Sequence, residues 1–127
     1  MDDIVTMASI VEKEATSTVD RQIIAGILWK RLADSYPLQV DAPFYYLLGK
    51  DSAHLTVVDL ALDSSYNLYT HKGLTPTPID NPGLDALSAS INPTTTKYWY
   101  YLSDKKGNMH YAITYDEHLL NKEKYVN

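Results

Sequence analysis

One long irregular segment constrains the fold more than any other feature of this chain. Residues 63–83 include Pro76, Pro78 and Pro82 together with glycine, asparagine and threonine, so we expect neither a helix nor a strand there. Loops of this length are uncommon in compact domains and are usually functional or disordered. Because the segment is also aromatic and is not of low complexity, an ordered functional loop is the favoured interpretation.

Apolar spacing predicts an amphipathic helix at the start of the chain. Ile4, Ala8, Val11 and Ala15 recur at the spacing of one helical face. The helix should therefore run over about 4–15, with this stripe facing the core.

The other predicted elements follow from capping residues, turn residues and aromatic runs. Ser17 or Asp20 is expected to cap the second helix, and Asn81 the helix after the long loop, with Pro82 at its first position. The expected helices cover about 21–34, 44–48, 57–62, 84–91 and 115–124. Strands over about 98–102 and 109–113 should form a hairpin. The predicted class is α+β, mostly helical, with one small antiparallel β element.

Composition and charge exclude several functions. The 127 residues suit a single domain, and the net charge of −5 argues against binding to nucleic acid or anionic lipid. The chain has no cysteine, and its four histidines lack metal-ligand spacing, so no metal site is expected. No signal peptide or membrane span is apparent. The chain begins almost inside its first helix, so we expect it to be part of something longer.

Tyrosine is unusually frequent, with eleven residues against two tryptophans and one phenylalanine. Tyrosine combines an apolar face with a hydroxyl, which suits partly solvent-exposed surfaces and carbohydrate contacts. An acid on an otherwise apolar helix, set against such a surface, favours a glycan-cleaving enzyme.

Two glutamates on the first helix are the candidate acids. Glu12 and Glu14 point roughly 200° apart on a helix, so they cannot form the paired carboxylates of an ordinary glycosidase. Glu14 shares its flank with Met7 and Ile10, whereas the flank that Glu12 shares with Val5, Ser9 and Thr16 is more polar. An apolar setting raises a carboxyl pKa, which makes Glu14 the better general acid. The alternative is that both are solvated surface glutamates.

Polar residues of the loops have two interpretations. Tyr66, Asn67 and Tyr69 could stack on and hydrogen-bond a sugar, or they could pin the loop to the body of the domain. Gln39 and Asp41 could orient substrate hydroxyls or satisfy the backbone of a turn. A structural role is favoured for His110 and a surface position for His118. Trp99 is expected in the core.

Motifs spread over nearly the whole chain resemble the catalytic domain of the YceG-like family, the MltG-type endolytic murein transglycosylases. The first is Ala-Ser-Ile-Val-Glu-Lys-Glu at 8–14, and a later one is Asn-Pro-Gly at 81–83. The others lie in family order at 25–26, 31–32, 38–41, 66–69, 73–79, 86–87, 92–93, 98–100 and 104–107, and the last is His118.

The resemblance implies non-hydrolytic cleavage of the β-1,4 bond between N-acetylmuramic acid and N-acetylglucosamine, forming 1,6-anhydro-muramic ends. A single glutamate would act as acid and then as base, namely Glu14, with Glu12 as the fallback. The residues implied to position substrate are Gln39, Asp41, Tyr66, Asn67, Tyr69 and Asn81.

The resemblance also sets expectations for the whole protein. Residues 1–127 would form the catalytic domain, without the family's N-terminal membrane anchor and LysM-like region. No metal or cofactor is expected, and the partners would be peptidoglycan glycan strands and the cell-wall synthesis machinery. The full-length protein would act at the extracytoplasmic face of the bacterial cytoplasmic membrane, while this chain itself would be soluble.

Two alternatives differ in kind from this enzyme. A peptidoglycan-binding module without turnover would bind glycan and release no product. An aminodeoxychorismate lyase would need pyridoxal phosphate, and the chain argues against it because it has no glycine-rich phosphate cradle.

Overall fold

The computed structural model describes residues 2–126, except for the side chains of Asp2 and Ser52. In chain order its elements are α1 (Asp2–Glu14), α2 (Thr18–Ala33), α3 (Ala42–Leu48), a 3-10 turn (Ser52–His54), α4 (Val57–Leu60), α5 (Leu84–Ile91), β1 (Tyr100–Ser103), β2 (Met109–Ala112) and α6 (Tyr115–Tyr125). The predicted α+β class, mostly helical with a small antiparallel element, is confirmed.

Helix α1 is the centre of the core and packs against both α2 and α5. The predicted stripe is buried at Ala8, Val11 and Ala15, but Met7 and Ile10 are fully buried as well. The buried face is wider than the periodicity predicted because neighbours cover α1 on more than one side.

The long loop over 63–83 contains no helix or strand, as predicted, and it is tied to α1. The buried Ser9 hydroxyl accepts a hydrogen bond from the Ile79 N–H at 3.0 Å and donates one to the Thr6 carbonyl at 2.7 Å. A polar side chain in the core is therefore satisfied while it fixes the loop in place.

The helix caps confirm one prediction and correct another. The Ser17 side chain accepts from the Asp20 N–H and caps α2, which begins earlier than predicted. The predicted N-cap Asn81 is wrong, because the N-cap of α5 is Gly83. The Gly83 N–H donates to Glu12 Oε1 at 2.7 Å, so a carboxylate from α1 replaces a local cap.

The hairpin closes the other side of the molecule. Strands β1 and β2 pair antiparallel with Tyr100 opposite Ala112, and α6 packs on both strands. Trp99 precedes β1 and is half-buried beneath Lys30, whose Nζ lies 4.5 Å from the ring centroid, so its expected place in the core is wrong. Within residues 2–126, no helix combines the length and apolarity needed to cross a bilayer.

Candidate active site

A cleft of about 880 Å³ opens where the end of α1 faces the hairpin and α6. The residues that line it come from α1, α2, the segment 36–41, the long loop, the hairpin and the C-terminal end that contains α6. They include Glu14, Arg31, Gln39, Asp41, Tyr69, Tyr101 and His118.

Glu14, the last residue of α1, lies half-buried in this cleft. The Tyr101 hydroxyl donates a hydrogen bond to Glu14 Oε1 at 2.5 Å. Burial raises the pKa of Glu14 to about 7; the hydrogen bond from Tyr101 opposes this shift, the negative charge of Asp41 adds to it, and the positive charge of Arg31 opposes it. Both protonation states are therefore populated near neutral pH, as a group that gives and then takes a proton requires.

Asp41 enters the cleft from the turn before α3. The Tyr69 hydroxyl donates to Asp41 Oδ1 at 2.5 Å, which fixes the carboxylate. Burial, together with this bond, raises the pKa of Tyr69 well above its ordinary value, so its hydroxyl keeps its proton. Gln39 lines the same cleft and is exposed; its backbone has a φ of 54°, and its N–H donates to the Leu68 carbonyl at 3.1 Å.

Glu12 points away from the cleft and has a structural environment. Its Oε2 pairs with Arg21 Nη2 at 2.8 Å, and its Oε1 accepts from the Gly83 N–H at 2.7 Å. Because Arg21 also pairs with Asp85, the carboxylate of Glu12 joins α1 to α2 and α5. Because Glu12 and Glu14 lie two residues apart on a helix, they point in nearly opposite directions and have different environments.

Three of the predicted substrate-positioning residues lie outside the cleft. Asn67 is fully buried, and its amide donates to the Leu60 and Leu62 carbonyls at 2.9 and 2.8 Å. Substrate cannot reach this side chain, which corrects the expectation of direct contact and makes Asn67 a scaffold of the loop. Tyr66 bonds Thr77 through its hydroxyl, and Asn81 is exposed away from the cleft.

Arg31 and Tyr101 were not among the predicted site residues, although both line the cleft. Arg31 is 4% exposed, and its guanidinium donates to the Leu38 carbonyl at 2.6 Å and to the Trp99 carbonyl at 2.6 and 3.1 Å. The sequence contains one sign that Arg31 is buried. It follows the apolar Ile27 and Leu28, both of which are buried, by one helical turn. A charge on such a face needs dedicated partners.

His118 also lines the cleft, which corrects its predicted surface position. Its ring stacks on Tyr100 with centroids 5.1 Å apart, and its Nδ1 is buried without a hydrogen-bond partner in the described part of the chain. Burial lowers the pKa of His118, and the charges of Lys122 and Arg31 act in the same direction. The ring is therefore neutral near pH 7.

The contacts of His110, on strand β2, agree with the structural role predicted for it. His110 Nε2 lies 2.9 Å from Asp104 Oδ2, and its ring stacks on Tyr125. Across residues 2–126, no cluster of three or more His, Cys, Asp or Glu residues is arranged to hold a metal ion.

Replacing Tyr101 with phenylalanine is expected to raise the pKa of Glu14 above its value of about 7. The tyrosine hydroxyl stabilises the ionised carboxyl, so its loss favours the protonated form and shifts titration to higher pH. A ¹³C NMR titration of the glutamate side chains measures the shift. Tyr111→Phe is the matched control, since it removes a hydroxyl from the same hairpin that bonds Asp20 at 2.5 Å instead. An equal shift in both variants, or a fall for Tyr101→Phe, would contradict the assignment.

The chain matches one family and several relatives along its length. The sequence model of the YceG-like family matches residues 1–124. A protein of Bacillus subtilis (strain 168) named endolytic murein transglycosylase is 41% identical over 97% of this chain and 34% of its own length. A protein of the same name from Streptococcus pneumoniae serotype 2 is 37% identical over 100% of this chain and 24% of its own length.

The fold has a solved counterpart. A crystal structure of a yceG-like protein from Listeria monocytogenes superimposes with a TM-score of 0.85 at 41% identity, covering 92% of this chain and 38% of that one. The chain thus spans between about a quarter and two fifths of the length of the proteins it matches.

Proposed function

The chain belongs to the YceG-like family, and from that premise we propose that residues 1–127 carry the catalytic domain of an endolytic murein transglycosylase. The observation that carries the proposal is Glu14, whose carboxyl lies in a large cleft and has a pKa of about 7. The names of the relatives supply the substrate class, which is murein.

The proposed reaction cleaves the β-1,4 bond between N-acetylmuramic acid and N-acetylglucosamine without water. Protonated Glu14 donates its proton to the glycosidic oxygen as the bond to the anomeric carbon breaks. The resulting carboxylate accepts the proton of the muramic C6 hydroxyl, whose oxygen attacks the anomeric carbon and closes a 1,6-anhydro ring. The nucleophile belongs to the substrate, so one carboxyl suffices where a hydrolase uses two.

The surrounding residues support this single carboxyl. Tyr101 holds Glu14 in one orientation, and the positive charge of Arg31 stabilises the carboxylate after proton donation. The negative charge of Asp41 opposes that ionisation and keeps the proton available. We propose Gln39, Asp41 and Tyr69 as the substrate-positioning residues, because all three line the cleft with Glu14.

The proposal extends to the setting of the reaction. Its substrate would be the glycan strands of peptidoglycan, and its partners the cell-wall synthesis machinery. The working site would be the extracytoplasmic face of the bacterial cytoplasmic membrane.

Digestion of purified murein sacculi tests the reaction. We expect soluble fragments that end in 1,6-anhydro-muramic acid, each lighter by one water than a hydrolysis product and resistant to borohydride reduction. Fragments with reducible ends would contradict the proposal and indicate hydrolysis, with Asp41 as the obvious second carboxylate. Binding to sacculi without any product would instead favour a non-catalytic glycan-binding module.

A further inference from the structure

A second, smaller pocket adjoins the cleft and shares two residues with it. This side pocket has a volume of about 190 Å³. Glu14 and Asp41 line both spaces, so the proposed acid stands where they meet. An enzyme that cuts inside a strand needs substrate on both sides of its acid, and the side pocket offers room on the second side.

Two exposed tyrosines of α3 form one wall of the side pocket. Tyr45 is 61% exposed and Tyr46 is 51% exposed. The ring of Tyr46 packs against Tyr66 with centroids 5.4 Å apart, and the Tyr66 hydroxyl bonds Thr77 at 2.9 Å. The long loop therefore supports the Tyr46 ring from one side while its other surface remains open, an arrangement suited to an amphipathic ligand.

Two of the charged residues that line the side pocket have partners within the protein. Lys50 Nζ pairs with Asp59 Oδ2 at 2.8 Å, and Asp51 Oδ1 lies 2.5 Å from His54 Nδ1. An anionic group would have to compete with these pairs, whereas an uncharged sugar ring need only cover the tyrosine faces. Three carboxyl groups but only two lysines line the pocket, and one of these lysines is Lys50, so the pocket favours a neutral sugar over a peptide carboxylate.

We propose that the side pocket binds the N-acetylglucosamine ring on the leaving side of the scissile bond, with Tyr46 as its platform. The assignment rests on the proposed function, which supplies the direction of the strand. N-acetylglucosamine carries no peptide and fits the smaller space, whereas N-acetylmuramic acid, with its lactyl-peptide branch, requires the larger cleft. Glu14 then stands next to the oxygen that joins the two sugars.

Binding of methyl β-N-acetylglucosaminide, followed by amide NMR shifts, tests the assignment without turnover. In the wild-type chain we expect shifts at Lys13, Tyr46 and Ile79, which line the side pocket and not the main cleft. Tyr46→Ala should weaken binding about tenfold, whereas Tyr46→Phe should retain most of it because the ring face remains. In murein digestion, Tyr46→Ala should raise KM more than it lowers kcat.

Tyr115→Ala is the matched control, because Tyr115 is 53% exposed but lines only the main cleft. Shifts confined to the main cleft, or weakened binding in Tyr115→Ala with none in Tyr46→Ala, would overturn the assignment. So would the absence of binding to the folded wild-type chain. Binding in the side pocket without formation of anhydro ends would contradict the proposed reaction while leaving the sugar site in place.

Discussion

Replacing Glu14 with glutamine is expected to lower the rate of murein cleavage by at least about 100-fold, since general acid–base catalysis typically contributes 10²–10⁴-fold. The substitution preserves the size of the side chain and an oxygen that can accept the Tyr101 hydrogen bond. It removes the ability to donate and then recover a proton, on which both halves of the proposed reaction depend. The measurement is the initial rate of release of anhydro-muramic fragments from labelled sacculi near neutral pH.

Glu12→Gln is the matched control for this experiment. It makes the same chemical change two residues away, keeps an acceptor for the Gly83 N–H and loses the charge opposite Arg21. Because that ion pair is partly exposed, with side chains 25% and 14% accessible, we expect a stability loss of only about 1 kcal/mol. Cleavage by the folded variant should persist. Loss of cleavage in Glu12→Gln together with activity in Glu14→Gln would transfer the acid role to Glu12.

Local pattern was sufficient to predict that these two acids have different environments. The periodicity of α1 predicted opposite directions for Glu12 and Glu14, and the apolar flank of Met7 and Ile10 favoured Glu14. The same pattern did not reveal the partners of either carboxylate. Glu14 bonds Tyr101, 87 residues away, and Glu12 bonds Gly83, 71 residues away. Such contacts depend on how helices and hairpin pack together, which spacing within one helix does not specify.

The loop shows a similar division between what composition predicts and what packing decides. Proline and glycine predicted irregular structure over 63–83, and the structure agrees. Composition did not identify which polar side chains of the loop bond to nearby backbone and which reach the cleft. The Asn67 amide satisfies the Leu60 and Leu62 carbonyls, which lie at and just after the end of α4, where the helix leaves carbonyls without a partner. Tyr69, two residues later, reaches the cleft and bonds Asp41.

His118 and Arg31 show a further limit of residue-by-residue reading. Both lie on helices, where polar residues usually face solvent. The hairpin covers both, since Arg31 donates to the Trp99 carbonyl and His118 stacks on Tyr100. A segment 68 residues later in the chain therefore determines the role of Arg31.

Gly26→Ala is expected to destabilise the fold by about 2 kcal/mol, although helix propensity alone predicts the opposite sign. In a helix interior alanine is favoured over glycine by about 1 kcal/mol. At Gly26, however, an added Cβ would lie 2.0 Å from the Thr94 carbonyl oxygen. That backbone cannot easily retreat, because the Thr94 N–H donates to the Gln22 carbonyl at 3.0 Å on the same helix. Overpacking of this kind costs about 3 kcal/mol at the upper end of its range, which exceeds the gain in propensity.

Thermal unfolding followed by circular dichroism measures this effect, with an expected fall in Tm of roughly 6–10 °C for a domain of this size. Gly83→Ala is the control, because its added Cβ would lie 3.1 Å from Glu12 Oε1, the end of a side chain that can adjust. Gly83→Ala should lower Tm by less than half as much as Gly26→Ala. Gly26 marks the place where α2 touches the segment after α5, and that contact holds the start of the hairpin against α2. An unchanged or higher Tm for Gly26→Ala would show that the segment around Thr94 yields to the methyl group and that propensity decides at this position.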